Sequence, residues 1–393
     1  MNHFLASPFV QVVRRETSRI AGSWVLIFAT IVAPVAVFLI VTWMFSAGVV
    51  RNLPIAIVDN DNSSMSRNIS RMVDATSSAH IACRPASLIE AEKLMLKGKI
   101  EAVLVLPDGF ERTIVKGNQA TIALYLNNSN VVKGGVLKSQ LYAALSTISG
   151  GIKVQALMKK GIPETIAIEK AQPIKPDIHL LFNPFGNYSY FLTLGLLPLL
   201  AVVFIFLGSV YAIGMELKEG TAPEWMARAN NSITIAVTGK LAPYTLLFMM
   251  NLMLMNILLV RILGTPVRGS LTAVIFSEIL LIISYQLLAV LFLHLTANLR
   301  LSLSLGSAYT MMALTFSGLT FPTMAMPLMA KLFSLIFPYT FWLKIFMSQS
   351  LRGEPLTEIV VPMLVFLLYI AGGLLAFPGL KKKLTDSHYW GRD

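Results

Sequence analysis

The residues best suited to chemistry lie in one stretch, GMELKEGTAPEWMARANNSITIAVTGKLAPY, residues 214–244. Glu216, Lys218 and Glu219 alternate in charge where a long apolar run ends. Gly220 allows a sharp bend, and Thr221 can cap a short helix that begins near Pro223. Trp225 and Met226 then place an aromatic and an apolar side chain on that helix. Such anchors, flanked by charge, suit docking into a groove on another protein. A solvated loop between two helices would have a similar composition. A second candidate is Glu278, the main charge inside an apolar run. A carboxylate within a bilayer costs on the order of several kcal/mol. Glu278 is therefore a candidate intramembrane polar site. It touches substrate, pairs with a polar neighbour, or sits near the interface.

Other chemistry finds little footing. No H-E-x-x-H or G-x-S-x-G pattern occurs, and nothing argues for catalysis in this chain. The histidines His3, His80, His179, His294 and His388 are scattered, and none forms a metal-spaced pair. Cys83 is alone, so no intrachain disulfide and no cysteine zinc site is expected. Asp59 and Asp61 follow a strand and suit a turn and helix cap better than a metal. No G-x-x-x-x-G-K-[ST] loop is present, so ATP is not held by that device. Energy for any driven work must come from a partner.

The elements that position these residues are mostly apolar. Of 393 residues, 55% are hydrophobic and 13% charged, against about 25% charged in soluble domains. Residues 20–50, 180–215, 241–260, 301–330 and 359–380 carry no Asp, Glu, Lys or Arg. Each can supply the roughly 20 apolar residues that cross a bilayer as a helix. The expected fold is a membrane all-α protein of six transmembrane helices with an inserted extracytoplasmic α/β domain.

Residues 1–20 hold Arg14, Arg15 and Arg19 among Val12, Val13 and Ile20, which suggests an amphipathic helix at the membrane surface. Residues 21–50 form the first span, too long for a typical cleaved signal peptide. Residues 51–187 carry 16 Lys/Arg and 11 Asp/Glu and read as a folded domain. Within it, 54–59, 102–106 and 121–126 read as strands. Met65, Ile69, Met72 and Val73 mark one helix, Ser87 and Glu90 a capping box, and Leu137, Leu141, Leu145, Ile148 and Ile152 a longer helix. Residues 188–393 hold five further spans, near 188–214, 241–260, 271–293, 301–321 and 359–377. Residues 322–350, broken by Pro322, Pro327 and Pro338, suggest paired short helices dipping into the outer leaflet.

Basic residues in short loops set the orientation. With both termini in the cytoplasm, the inner segments carry 11 Lys/Arg and the outer short loops 5. The formal charge of +12 is thus an orientation signal with a mildly basic outer domain, and no nucleic-acid partner is expected. Multi-pass insertion in a bacterial inner membrane is expected, with residues 51–187 in the periplasm.

The 214–240 loop resembles the cytoplasmic coupling region of type 2 ATP-binding-cassette exporter permeases. The match is Glu216, Lys218, Glu219, Gly220 and Thr221, then Gly239, Lys240, Leu241, Pro243 and Tyr244. The usual Leu-Glu and Leu-Leu pair after Gly-Thr is replaced by Ala222–Met226. IAIVDND, AVLVLPDGF, LYLNNSN and the proline-broken 316–353 also resemble the family, in the same order. The resemblance implies a second permease, as a copy or paralogue, and two ATPase subunits docked below that hold ATP with Mg; no cofactor belongs to this chain. Glu216, Lys218, Glu219, Gly220, Thr221 and Trp225 would transmit ATPase motion. The outer domain would gate the exit or engage a periplasmic adaptor. The cargo implied is a hydrophobic or amphipathic molecule such as a drug or lipid. An ATP-independent receptor or scaffold with an outer ligand-binding domain, or a membrane-embedded enzyme, remain as alternatives.

Overall fold

The computed structural model describes residues 7–172, 179, 181–183 and 186–391. Residues 1–6, with His3, and Arg392 lie outside them. The chain divides into two compact units. Unit 1 joins Met1–Gly48 to Leu180–Asp393, and unit 2 is the intervening Val49–His179.

Unit 1 begins with α1 (Pro8–Gly22), where Pro8 opens the helix and the Ser7 hydroxyl accepts the Val10 N–H. Val12, Glu16 and Ile20, spaced by four, are its buried stripe. That stripe packs on a later helix of the same unit. Next comes α2 (Trp24–Met44), whose turn at Phe28–Val32 is a π turn. A π turn disturbs the regular ladder. Here the buried Asn251 side chain donates to the Thr30 carbonyl at 2.7 Å.

Unit 2 runs β1 (Leu53–Asp59), α3 (Ser64–Asp74), β2 (Ala79–Cys83), α4 (Leu88–Leu96), β3 (Ala102–Leu106), α5 (Phe110–Val115), β4 (Ala123–Leu126), α6 (Val131–Met158) and α7 (Glu164–Ala171). The strand order is β2-β1-β3-β4; β1 pairs in parallel with β2 and β3, and β3 is antiparallel to β4. Ile55, Ala56, Ile57 and Val58 are all buried because helices cover both faces of the sheet. Ile55, Ile57, Leu104 and Leu106 meet α3, α5 and α6 on one face. Ala56, Val58 and Val103 meet Ala91 of α4 on the other. The edge strand β2 has no counterpart among the strands read from sequence. It is short, with His80 and Ala82 exposed. The third expected strand begins at Ala123 rather than at 121.

Unit 1 resumes with α8 (Tyr188–Lys218), α9 (Ala222–Arg228), α10 (Ile233–Ile262, ending in a π turn), α11 (Leu271–Thr296) and α12 (Leu299–Phe316). Then come α13 (Leu328–Ser334), α14 (Pro338–Arg352), α15 (Val360–Leu375) and α16 (Phe377–Thr385). Among the described residues five stretches are long and apolar enough to cross a membrane: α2, α8, α10, α11 and Leu356–Thr385, which holds α15 and α16. The pair α13 and α14, bent by 88°, makes a sixth if it counts as one broken span.

Five of the six expected spans coincide with these five stretches. The one placed at 301–321 is α12, only 18 residues long. It carries Arg300 and five Ser or Thr side chains, which make it the most polar of the six. At the 322–350 break, Pro327 and Pro338 open α13 and α14. The backbone freed at the bend is paired by tyrosines. Tyr309 donates to the Ile336 carbonyl at 2.6 Å, Tyr369 donates to the Leu335 carbonyl, and Tyr285 accepts the Tyr339 N–H at 3.3 Å. Broken helices survive at membrane depth only with such partners.

Candidate functional site

Four elements of unit 1 meet around one carboxylate. α8 has 31 residues and is about 46 Å long at 1.5 Å per residue. That exceeds the roughly 30 Å hydrocarbon core, so its last turns can stand clear of lipid. Glu216 and Glu219 lie on those turns. Gly220 adopts φ +69°, which favours glycine. The chain then doubles back, and the Thr221 N–H bonds the Glu216 carbonyl at 3.1 Å, closing α8 with a Schellman turn. The Thr221 hydroxyl makes no cap bond to α9. It donates to Glu216 Oε2 at 2.5 Å, so its expected capping role is replaced by a tie to the carboxylate.

Glu216 is fully buried and well supplied with donors. Arg15 of α1 grips it through both Nη atoms, at 2.7 and 3.0 Å. Arg19, one turn on, also donates to Glu216 and reaches Glu219 at 2.8 Å. Lys240 of α10 donates from a fully buried Nζ at 2.7 Å. The same Nζ donates to Glu16 of α1 at 2.5 Å, and the Tyr244 hydroxyl donates to the other Glu16 oxygen at 2.7 Å. Arg15, Arg19 and Lys240 thus balance Glu16, Glu216 and Glu219. Burying charges is costly, and such a cluster persists only when every group is paired. Burial of Arg15 disfavours its charge, but the hydrogen bond and attraction of Glu216 outweigh that and raise its pKa above the ordinary value.

Trp225 is turned inward. It is fully buried, its Nε1 donates to the Ala236 carbonyl at 3.2 Å, and Lys240 Nζ lies 5.1 Å from its ring centroid. Met226 is buried beside it. The two side chains read as anchors for another protein therefore fasten α9 to its own chain. The outward face of α9 carries Pro223, Glu224, Ala227 and Arg228. Lys218 is exposed. Successive left-handed Asn230 and Asn231, at φ +52° and +56°, close the turn into α10.

Glu278 lies apart from this cluster, on α11. It is fully buried, and Asn256 of α10 donates to its Oε1 at 2.8 Å. Its Oε2 has no partner. Pairing with a polar neighbour is thus half satisfied. His294 packs its ring on Gly379, and its carbonyl accepts Lys383. Asp59 accepts the Asp61 and Asn62 N–H groups and the Ser66 hydroxyl, while Asp61 accepts the Glu111 N–H. These are turn and cap duties. Among the described residues no His/Cys/Asp/Glu group could hold a metal.

A family model described as "ABC-2 family transporter protein" matches residues 24–377. The chain belongs to the ABC-2 transporter family. It is also 24% identical over 299 residues to the "Probable multidrug ABC transporter permease YbhS" of Escherichia coli strain K12, which covers 73% of this chain and 72% of that protein. The protein of the same name from E. coli O157:H7 matches equally. Family membership makes this chain the membrane subunit of an ABC transporter and implies a separate ATP-binding subunit. It favours a transport subunit over the receptor, scaffold and enzyme alternatives.

The structure of this ABC-2 permease adds Glu16, which has no place in the sequence reading, and gives roles to two residues quoted there only as part of a motif. Tyr244 and Glu16 complete the cluster, and Lys240 is its hub rather than only part of a Gly-Lys-Leu signature. Glu16 carried a signal: it stands between Val12 and Ile20 in an i, i+4 stripe, where a charge needs a buried partner. The family match begins at residue 24, so Arg15, Glu16 and Arg19 of the permease lie outside the matched range.

Proposed function

We propose that this chain is the permease of an exporter that moves a hydrophobic or amphipathic substrate out across a bacterial inner membrane. A second permease copy or paralogue completes the path, and ATPase subunits holding ATP with Mg dock beneath α9. The observation that carries this reading is the buried cluster of Arg15, Glu16, Arg19, Glu216 and Lys240. It ties α1, α8 and α10 into one rigid end piece, with α9 locked on by Trp225. A push on Glu224 or Arg228 of α9 then moves α1, α8 and α10 together. Glu216, Glu219, Gly220, Thr221 and Trp225 hold this piece together, and Lys218 lies at its surface.

Chain geometry supports the orientation. The Gly48 carbonyl accepts the Tyr188 and Ser189 N–H groups, at 2.9 and 3.3 Å. The chain therefore leaves and re-enters unit 1 at the opposite end of α8 from the cluster. With the cluster and both termini in the cytoplasm, unit 2 emerges on the periplasmic side, where it can gate the exit or meet an adaptor. Glu278 with Asn256 is a polar point along the route.

Co-purification with candidate ATPase subunits tests the reading. Glu219→Arg and Gly220→Pro should insert in the membrane yet lose vanadate-sensitive, transport-coupled ATPase activity. Full coupling in both would sink the docking assignment.

A further inference from the structure

Unit 2 contains a groove of mixed apolar and polar lining along α6. A cavity of about 290 Å³ lies between α5, α6 and the approach to β4, walled by Phe110, Ile114, Ile122, Leu145 and Ile152. A wider trough of about 920 Å³ shares Ala120, Ile122, Leu145 and Lys153 with it and extends past Tyr142 to Ile168. The two form one continuous groove. Asn118, Gln119, Ser146, Thr147, Ser149 and Gln172 contribute polar groups to its lining. Apolar walls joined to such polar groups are the usual form of small-molecule sites.

Two further observations describe the occupant. Among the described residues Lys153 is the one charged side chain lining either cavity. Its Nζ donates to the Ala171 carbonyl at 3.1 Å, which leaves two further N–H donors. Gly150 and Gly151 lie deep inside the 28-residue α6 and line the trough. Glycine is among the poorest residues for a helix interior. Among the described residues nothing requires its small size here, because a Cβ at either position would meet none of their atoms within 4 Å. The bare helix backbone faces open space, as it would where a ligand lies against it.

We propose that this groove binds a single-chain anionic amphiphile. The acyl chain lies over Gly150 and Gly151 between Ile122, Leu145 and Ile152, and the head group pairs with Lys153. This does not depend on the export reading, because the groove belongs to unit 2 alone.

The test uses the full chain in nanodiscs of neutral phosphatidylcholine, without ATPase. The probe is palmitate carrying a photoactivatable diazirine and an alkyne. Adducts should map to peptides spanning 110–122 and 142–156 and be competed by unlabelled palmitate. Gly150→Met sends its side chain into the open trough and should abolish these adducts without lowering the melting temperature. Lys153→Gln should lose palmitate labelling but keep that by the uncharged hexadecanol analogue. Adducts confined to the apolar helices of unit 1 would overturn the proposal, as would labelling unchanged in Gly150→Met. A photocrosslinker at Tyr142 that captures a second copy or another protein, with no lipid adduct, would also overturn it.

Discussion

Arg15 of α1 holds Glu216 of α8 with both guanidinium nitrogens, at 2.7 and 3.0 Å, although the two residues are 201 positions apart. Planar, bidentate pairs of this kind fix orientation as well as contributing energy. With Lys240 bridging Glu216 and Glu16, no element of the cluster can shift alone without stranding a buried charge.

That arrangement predicts strong non-additivity. Lys240→Met strands the buried Glu16 carboxylate and should destabilise the chain by about 3–5 kcal/mol. Glu16→Leu leaves Lys240 with Glu216 alone and takes the acceptor from the Tyr244 hydroxyl. The double variant removes both partners, while Glu216 keeps Arg15 and Arg19. Its loss should be well below the sum of the single losses. Thermal melting of the four proteins in one detergent closes the cycle, and additive losses would show that the groups do not act as a unit.

The seat of α1 depends on a close approach. A Cβ at Gly239 would lie 3.0 Å from the Val12 Cβ and 3.3 Å from the Phe9 carbonyl. Gly239→Val should therefore lift α1 from α10, while leaving α10 a sound helix. Limited trypsin digestion reads this: Arg14 and Arg15 should be cut faster in the variant. An unchanged cleavage rate would show that α1 tolerates the added bulk.

The bend between α13 and α14 rests on tyrosine hydroxyls. Tyr309→Phe leaves the Ile336 carbonyl unpaired and should cost about 1–3 kcal/mol. Tyr369→Phe should act likewise on the Leu335 carbonyl. Melting temperatures of the two variants check this, and wild-type values would mean that the bend finds other partners.

Unit 2 should lose stability on acidification. Partial burial of Asp61 acts to raise its pKa, but the Ser63 hydrogen bond and the 109–111 backbone N–H groups outweigh this and lower it. A carboxylate whose folded pKa is depressed contributes stability above its ordinary pKa, and that stability is lost as pH falls through the folded value. Asp61→Asn should flatten this part of the acid profile. Amide exchange of Phe110 and Glu111 against pH provides the readout, and identical profiles would remove Asp61 from this role.

Much of this fold could be read from sequence because apolar length and turn chemistry are local signals. The charge-free runs at 20–50, 180–215 and 241–260 correspond to α2, α8 and α10. Ser87 caps α4 as its spacing suggested, although Glu90 reaches back to the Ala86 N–H rather than to that of Ser87. Non-local signals were harder to read. β2 is defined by pairing with β1, not by its own sequence. The inward turn of Trp225 depends on Lys240 and Ala236, which come from a helix that composition alone cannot place. The position of Glu16 in the Val12–Ile20 stripe signals a buried partner, but only the fold shows that the partner is Lys240.

The central claim is that α9 carries ATPase motion into a rigid cluster, and it is tested at the exposed face of α9. Glu224→Arg with Arg228→Glu alters only surface side chains, so the melting temperature should hold. Substrate-stimulated ATPase activity should then be measured with the purified permease–ATPase complex in proteoliposomes. Loss of that stimulation, with folding intact, is the expected result. Stimulation equal to that of the unaltered complex would contradict coupling through α9.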